Sequence, residues 1–326
     1  MVDLRTILKP RESELKVGLK DRIMTIGSCF SQVIGVFLRG NKFDVLVNPF
    51  GTVYNPHSIF KLLEATVGKD KPEVDGFLRN GEVHYHYDYH SDLSALSKND
   101  LAKKINNRIA QAHEIMAKTE WLMITFGTVV TYQLIETGKL VANCHKVPQA
   151  QFEKKFETLE NIATGFAKVY ELLKKSNPGL KIILTVSPVR HTRESLTDNS
   201  YSKALLRVAC EHLAKSYENV SYFPAYEAMM DDLRDYRYYG HDLIHPNEMA
   251  EEYIWQLFLN TYVSEADCEI LSKWSKLKKA LEHRPKYPET VEHKLFLKDT
   301  LNKLEQLGNH LDMKSEILQV KATLGK

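Results

Sequence analysis

A serine hydroxyl attacks a carbonyl at neutral pH only if a base takes its proton, and a histidine serves best when a carboxylate fixes its tautomer. The chain carries these three residue types in two short segments. Ser28 lies in Gly27-Ser28-Cys29-Phe30, and Asp242 and His245 lie in Asp242-Leu243-Ile244-His245-Pro246-Asn247. The D-x-x-H spacing lets an aspartate reach back to the ring of its own loop. Ser28 is therefore the expected nucleophile, His245 its base and Asp242 the orienting carboxylate. The negative charge that develops on a substrate oxygen needs preorganised donors. The candidates are the N–H of Ser28 at a helix start, the N–H of Gly51, and a side-chain donor from Thr128 or Asn143.

These residues must be positioned by strands and helices. Arg22-Ile23-Met24-Thr25-Ile26 is an apolar run stopped by Gly27-Ser28, and Val33, Ile34, Phe37 and Leu38 then recur at helical spacing up to Gly40. Ser28 thus stands where a strand turns into a helix. Val45-Leu46-Val47 runs into the turn Asn48-Pro49-Phe50-Gly51, and helical spacing resumes over 57–67. Residues 76–91 read as a β-hairpin inserted at the sheet edge. A long helix is expected over 100–118, and a buried strand at Trp121–Phe126 closes on Gly127-Thr128. An extended stretch over 129–140 then precedes Asn143-Cys144-His145-Lys146. Next come a helix over 151–175, the strand 181–186 ending in Ser187-Pro188-Val189-Arg190-His191, a helix over 201–217, a strand at 220–223 and a helix from 247 to 263.

Alternating strands and helices predict a three-layer α/β/α sandwich around a mostly parallel sheet, with the hairpin inserted and a helical extension at the end. Ligands of such sheets bind beyond the carboxyl ends of the strands. Ser28, Gly51, Gly127, Thr128 and the 187–191 segment should therefore share one rim with His245. Asn143, His145, Arg190 and His191 are placed in the pocket lining on the same ground. From Ala266 onward Lys, Glu and Leu dominate, and Leu301, Leu304, Leu307 and Leu311 recur at helical spacing. This tail, read as a unit over 264–326 behind a domain over 1–263, is expected to dock on the core or on a second copy, making a homodimer.

With 44 basic and 42 acidic residues among 326, the charge is near balance and gives no reason to expect nucleic acid or an anionic membrane as partner. No apolar run is long enough to cross a bilayer, and the charged first twenty residues do not read as a signal peptide. The four cysteines lack C-x-x-C spacing, so neither a zinc site nor a disulfide framework is indicated, and a reduced cytoplasmic setting is expected. Cys29, beside the serine, reads as a small hydrophobe pointing into the core. His84, His86, Asp88 and His90 would share one face of a strand, with Tyr85, Tyr87 and Tyr89 on the other. A flap beside the pocket is preferred to a metal site for them, and no metal is assigned.

The ordered set Gly27-Ser28-Cys29-Phe30-Ser31, Asn48-Pro49-Phe50-Gly51-Thr52, Phe126-Gly127-Thr128, Asn143-Cys144-His145-Lys146-Val147-Pro148, Ser187-Pro188-Val189-Arg190-His191 and Asp242-Leu243-Ile244-His245-Pro246 resembles the GSCFA-domain family. That family is grouped with the SGNH, or GDSL-like, hydrolases. The resemblance spans roughly Thr6 to Val263. It implies a flavodoxin-like sandwich with esterase or lipase chemistry, Ser28 as the block-one serine, Gly51 as the block-two oxyanion glycine, and Asp242 with His245 as the closing D-x-x-H. At block three the usual G-x-N-D is replaced by Gly127-Thr128-Val129-Val130, which has no asparagine.

The expected function is hydrolysis of an O-acyl ester, of a carbohydrate or another small molecule, by a Ser-His-Asp mechanism that needs no cofactor. A non-catalytic binding or assembly protein on the same scaffold, or an acyltransferase using the same triad, are the alternatives.

Overall fold

A computed structural model describes residues 5–193 and 195–325. β1 (Arg22–Gly27) runs into α1 (Cys29–Gly40), followed by β2 (Asp44–Val47) and α2 (Pro56–Gly68). The hairpin of β3 (Phe77–Asn80) and β4 (Val83–His86) precedes α3 (Lys98–Met116) and β5 (Trp121–Phe126). A small antiparallel sheet of β6 (Val130–Leu134), β7 (Leu140–Val141) and β8 (Phe152–Phe156) leads to α4 (Leu159–Ser176) and β9 (Lys181–Val186). Then come α5 (Leu196–Ser216), β10 (Val220–Tyr222) and a single turn, α6 (Ala225–Glu227), that continues as a π-helical stretch over Ala228–Leu233. α7 (Glu248–Tyr262), α8 (Glu265–Glu282), α9 (Val291–Leu307) and α10 (Lys314–Leu324) complete the chain.

The central sheet has the order β10-β9-β5-β1-β2, and every pair in it is parallel. Counting only its own strands, that order is 2-1-3-4-5, the flavodoxin-like arrangement, which reverses direction between β1 and β5. Successive side chains point to opposite faces of a strand. Ile23, Trp121, Met123 and Ile183 accordingly pack with Phe30, Ile34 and Leu38 of α1 and Ile254 and Phe258 of α7. Met24, Ile26, Leu122, Ile124 and Phe126 face the other way, onto Leu63 of α2, Ile105 of α3, Phe166 of α4 and Leu206 of α5. With helices on both faces, the strands are apolar throughout.

Three expectations need correction. The region 151–175 is not one helix: Phe152–Phe156 is strand β8, antiparallel to β6, and Thr158 then caps α4 by accepting from the N–H of Asn161. The pair Phe152 and Phe156 suits a helical stripe as well as a strand face, and pairing with β6 decides. α5 begins earlier than expected, behind Ser195, whose hydroxyl accepts from the N–H of Asp198. The regular strand of the hairpin stops at His86, so Asp88 and His90 do not continue the face of His84 and His86.

The leucine row of the tail is spent inside the chain. Leu304, Leu307 and Leu311 pack with Trp274, Leu277, Met313 and Val320, with Leu301 partly buried against them. The tail is fastened to the end of α1, where Trp274 Nε1 donates to the carbonyl of Gly40 at 2.9 Å. Lys42 lies 5.2 Å from the Trp274 ring centroid and pairs with Glu316 at 2.6 Å. No helix among the described residues is long and apolar enough to cross a membrane. Trp274→Ala should destabilise the fold by about 3–5 kcal/mol, the cost of emptying a buried aromatic site. Urea unfolding followed by fluorescence measures it, and an unchanged midpoint contradicts tail docking.

Candidate active site

The loop that carries Asp242 and His245 is tied down from several directions. Gly240 N–H donates to His245 O, Leu243 N–H to Gly240 O, and Asn247 N–H to Tyr238 O. Asn247 then caps α7, its side chain accepting from Ala250 N–H. Within the loop, Asp242 Oδ1 accepts from the backbone N–H groups of Ile244 (2.9 Å) and His245 (3.0 Å), and Oδ2 takes the ring Nδ1–H of His245 at 2.6 Å. These three donors, the backbone ones foremost, hold the Asp242 carboxyl far below the usual carboxylate range although it is solvent-accessible. A depressed pKa means that the pairing is intact above the ordinary carboxylate value, about 4, and persists below it.

With Nδ1–H committed to the carboxylate, Nε2 of His245 is the acceptor nitrogen. It faces Cys29 Sγ, at 3.6 Å. The expected pair was Ser28 and His245; the hydrogen-bonding group that the structure brings to Nε2 is the Cys29 thiol. Ser28 Oγ is buried and has no hydrogen-bond partner among the described residues. Ser28 occupies the cap position of α1 in extended backbone (φ −67°, ψ 178°), yet its side chain caps nothing. Its N–H is also engaged, donating to Thr125 O at 3.1 Å across the end of the β1–β5 ladder. Cys29, the first residue of α1, therefore presents its side chain to the rim where Ser28 does not. The thiol is pushed up by burial, and it is pulled back by the charge of Lys203 and by the backbone amides of Phe30 and of Cys29 itself.

The backbone N–H groups expected as oxyanion donors are otherwise occupied, and the side chains of Thr128 and Asn143 are engaged through their oxygens. Gly51 N–H closes the turn onto Asn48 O at 2.9 Å. Gly51 has φ +77°, and a Cβ there would lie 2.3 Å from His90 Cβ, so the position needs glycine for turn geometry and close approach. Gly127 and Thr128 both donate their N–H to Tyr54 O, at 2.7 and 3.1 Å. The Thr128 hydroxyl is 3.0 Å from Ser202 Oγ and accepts from Val130 N–H. Asn143 Oδ1 accepts from His145 N–H inside its own loop. The amides aimed at the Cys29 sulfur are those of the first turn of α1.

His145 and Arg190 turn out to be supports. His145 is buried, with Nε2 at 2.9 Å from His86 O and Nδ1 at 3.3 Å from Ser91 Oγ, and its ring stacks on Tyr85. It knits the hairpin to the 143–146 loop. Arg190 donates to Leu243 O at 3.2 Å, and its guanidinium lies over Tyr236 (4.9 Å) and Tyr239 (4.3 Å). Its backbone N–H also donates to Ile244 O. The nearby aspartates have other partners, Asp232 with Arg5 and Asp235 with Arg237. His191 donates its N–H to Asn199 Oδ1, and its ring stands edge-on to Tyr54, 6.0 Å away. Tyr54, which sequence reasoning missed, thus links the Gly127 turn to His191. A tyrosine following a turn carries no signal for such a role.

His86 is fully buried, its ring nitrogens meeting Glu73 O and Asp88 N–H. Among the described residues no three His, Cys, Asp or Glu side chains are grouped to hold a metal ion. Arg190→Ala removes both the bond to Leu243 and the ring stack. Amide exchange at 243–245 should then accelerate about tenfold or more as the loop opens locally. Unchanged exchange contradicts the supporting role of Arg190.

The chain matches the GSCFA family over residues 22–258 and the GSCFA C-terminal domain over residues 274–326. No curated relative matches it. Among solved structures, a Clostridium thermocellum family 3 carbohydrate esterase is similar at 13% identity, covering 78% of this chain and 98% of that one, with a TM-score of 0.32. With a strand–turn–helix nucleus, an Asp-x-x-His loop and a family match that runs through both, the protein belongs to the GSCFA family.

Proposed function

We propose that the rim is an acyl-transfer site that hydrolyses small O-acyl esters, with Cys29 as nucleophile, His245 as general base and acid, and Asp242 as the orienting carboxylate. The observation that carries this reading is the continuous line Asp242 Oδ2–His245 Nδ1–Nε2–Cys29 Sγ, at 2.6 Å and 3.6 Å. A thiol against an imidazole that a carboxylate orients is the general arrangement of an activated nucleophile. Cys29 replaces Ser28 in the role, and the base and its orienter are those the sequence singled out.

In this mechanism the Cys29 S–H proton moves to His245 Nε2 as sulfur attacks the ester carbonyl and the S–C bond forms. The tetrahedral oxyanion is stabilised by amides at the start of α1, where the helix dipole also favours negative charge. The imidazolium returns the proton to the departing alkoxide as the C–O bond breaks, leaving a thioester on Cys29. Water, deprotonated by His245, then attacks the thioester, releasing the acid and restoring the thiol. Asp242 holds the imidazole in its tautomer and stabilises it when charged. Apart from the water, every group that acts in these steps belongs to this chain.

The rim favours small polar esters, including O-acylated carbohydrates. The His245 side chain is 51% and that of Asp242 47% exposed, so the reacting edge is open to solvent. Tyr54, His191 and Arg190 border it, groups that suit a small polar ester.

Turnover of short-chain p-nitrophenyl esters tests the assignment. Cys29→Ala and His245→Ala should each lower kcat/KM by on the order of a hundredfold or more, and Asp242→Asn by a comparable factor through loss of the ring tautomer. Equal background rates in wild type and Cys29→Ala would leave a binding or assembly protein on this scaffold. Ser28→Ala removes a buried hydroxyl that has no partner among the described residues, so its thermal midpoint should be unchanged or raised. A drop of several degrees contradicts the placement of Ser28.

A further inference from the structure

Beneath the rim, Lys203 of α5 is 1% exposed. Its Nζ donates to Gly127 O at 2.7 Å and to Ser187 O at 2.8 Å, the first carbonyls beyond the ends of β5 and β9. Gly127 is packed in turn against the strand–helix turn, for a Cβ on it would lie 3.3 Å from Ser28 Cβ. The ammonium thus sits under the segment that carries Cys29, with the Gly127 turn between them, and its charge favours the thiolate. Among the described residues no carboxylate pairs with it, and its hydrogen bonds are to two neutral carbonyls.

A buried ammonium without an anion is costly, and proteins usually expose or pair such a group. Holding two carbonyls does not require a full charge. A hydroxyl-bearing or amide side chain satisfies carbonyls throughout this structure, as Asn177 does for Met116 and Thr119. What a cation adds is positive charge inside the fold, and the group above it that must become an anion to attack is the Cys29 thiol.

We infer that Lys203 is a positioning residue of this site: its buried ammonium clamps the ends of β5 and β9 under the strand–helix turn and supplies the counter-charge against which the Cys29 thiolate forms. The inference rests on Cys29 as the nucleophile. During attack the thiol proton goes to His245 and the lysine keeps its own, so the sulfur passes through negative charge between an imidazolium at the surface and an ammonium below. The groups facing Cys29 are Lys203 from α5, His245 and Asp242 from the loop before α7, Tyr54 from the loop before α2, and the first-turn amides of α1. Lys203 and His245 favour the thiolate, and Asp242 opposes it. Burial brings the Lys203 ammonium down to about 7 and pushes the Cys29 thiol up, so neither group is charged readily on its own. A thiolate forming beside it keeps the ammonium charged, and the two groups titrate as a coupled pair.

The test is the rate of Cys29 alkylation by iodoacetamide as a function of pH, in wild type and in Lys203→Met. Alkylation reads thiolate without requiring turnover, so it separates this inference from the esterase reading, which stands or falls on ester turnover in Cys29→Ala. In Lys203→Met the profile should move to higher pH by about one unit, slowing alkylation at pH 7 about tenfold. Lys203→Arg, which keeps the charge, should restore most of that loss. An unchanged profile in folded Lys203→Met means that the lysine only braces the strand ends, and overturns the inference.

Should Lys203→Met fail to fold, the wild-type chain gives the reciprocal reading. The 13Cε shift of Lys203, followed by NMR, should titrate at lower pH once Cys29 is capped by the neutral carbamidomethyl group, because its partner anion is gone. A midpoint unmoved by capping overturns the inference equally.

Discussion

The crossover of the sheet at β1 is the constraint on which the site depends. β1 pairs with β2 on one side and β5 on the other, and chain growth reverses between them. At that point the connections leave in opposite directions, and the carboxyl ends of two neighbouring strands open a crevice. Gly27 ends β1 at φ +140°, where a Cβ would lie 2.2 Å from Thr125 O, so β1 and β5 meet with no side chain between them. The next residue still belongs to the ladder through its N–H, and the one after it starts α1. The closeness of this junction is what turns Ser28 inward and leaves Cys29 on the rim.

The electrostatics follow from the same junction. Sulfur at the start of a helix receives the first-turn amides, His245 approaches from the exposed side, and the charge of Lys203 acts from the buried side. Asp242 is kept ionised by backbone donors of its own loop, and Arg190 pins that loop at Leu243 and Ile244. His245 is therefore held by local turns, while Cys29 is held by the sheet. The two halves of the site are 216 positions apart in sequence and meet only because α7 packs on the same face as α1.

What could be read in the sequence was what local chemistry determines. The three central strands announce themselves as apolar runs, and their alternation with helices gives the parallel sheet. Asp242 and His245 could be paired because three residues of one turn suffice to join them. Choosing between Ser28 and Cys29 required the backbone angles at a single junction, which neighbouring residue types do not reveal. The fate of Gly51 N–H, in contrast, was available: Asn48-Pro49-Phe50-Gly51 is a four-residue turn, and the fourth N–H of such a turn commonly returns to the first carbonyl. Thr128 and Asn143 have hydroxyl and amide groups that local backbone can claim, as it does here. Lys203 gave no signal, since a lysine on an amphipathic helix reads as a solvent-facing residue until the strands it caps are in place.

The central claim, that Cys29 carries the acyl group, is tested most directly by trapping it. Wild-type protein mixed briefly with p-nitrophenyl acetate and quenched in acid should yield one acetyl group in the tryptic peptide Ile23–Arg39, which contains both candidates. Fragment ions should place the acetyl on Cys29 as a hydroxylamine-labile thioester, and the adduct should be lost in His245→Ala. An acetyl group on Ser28, or the same labelling of Cys29 when His245 is absent, would contradict the account.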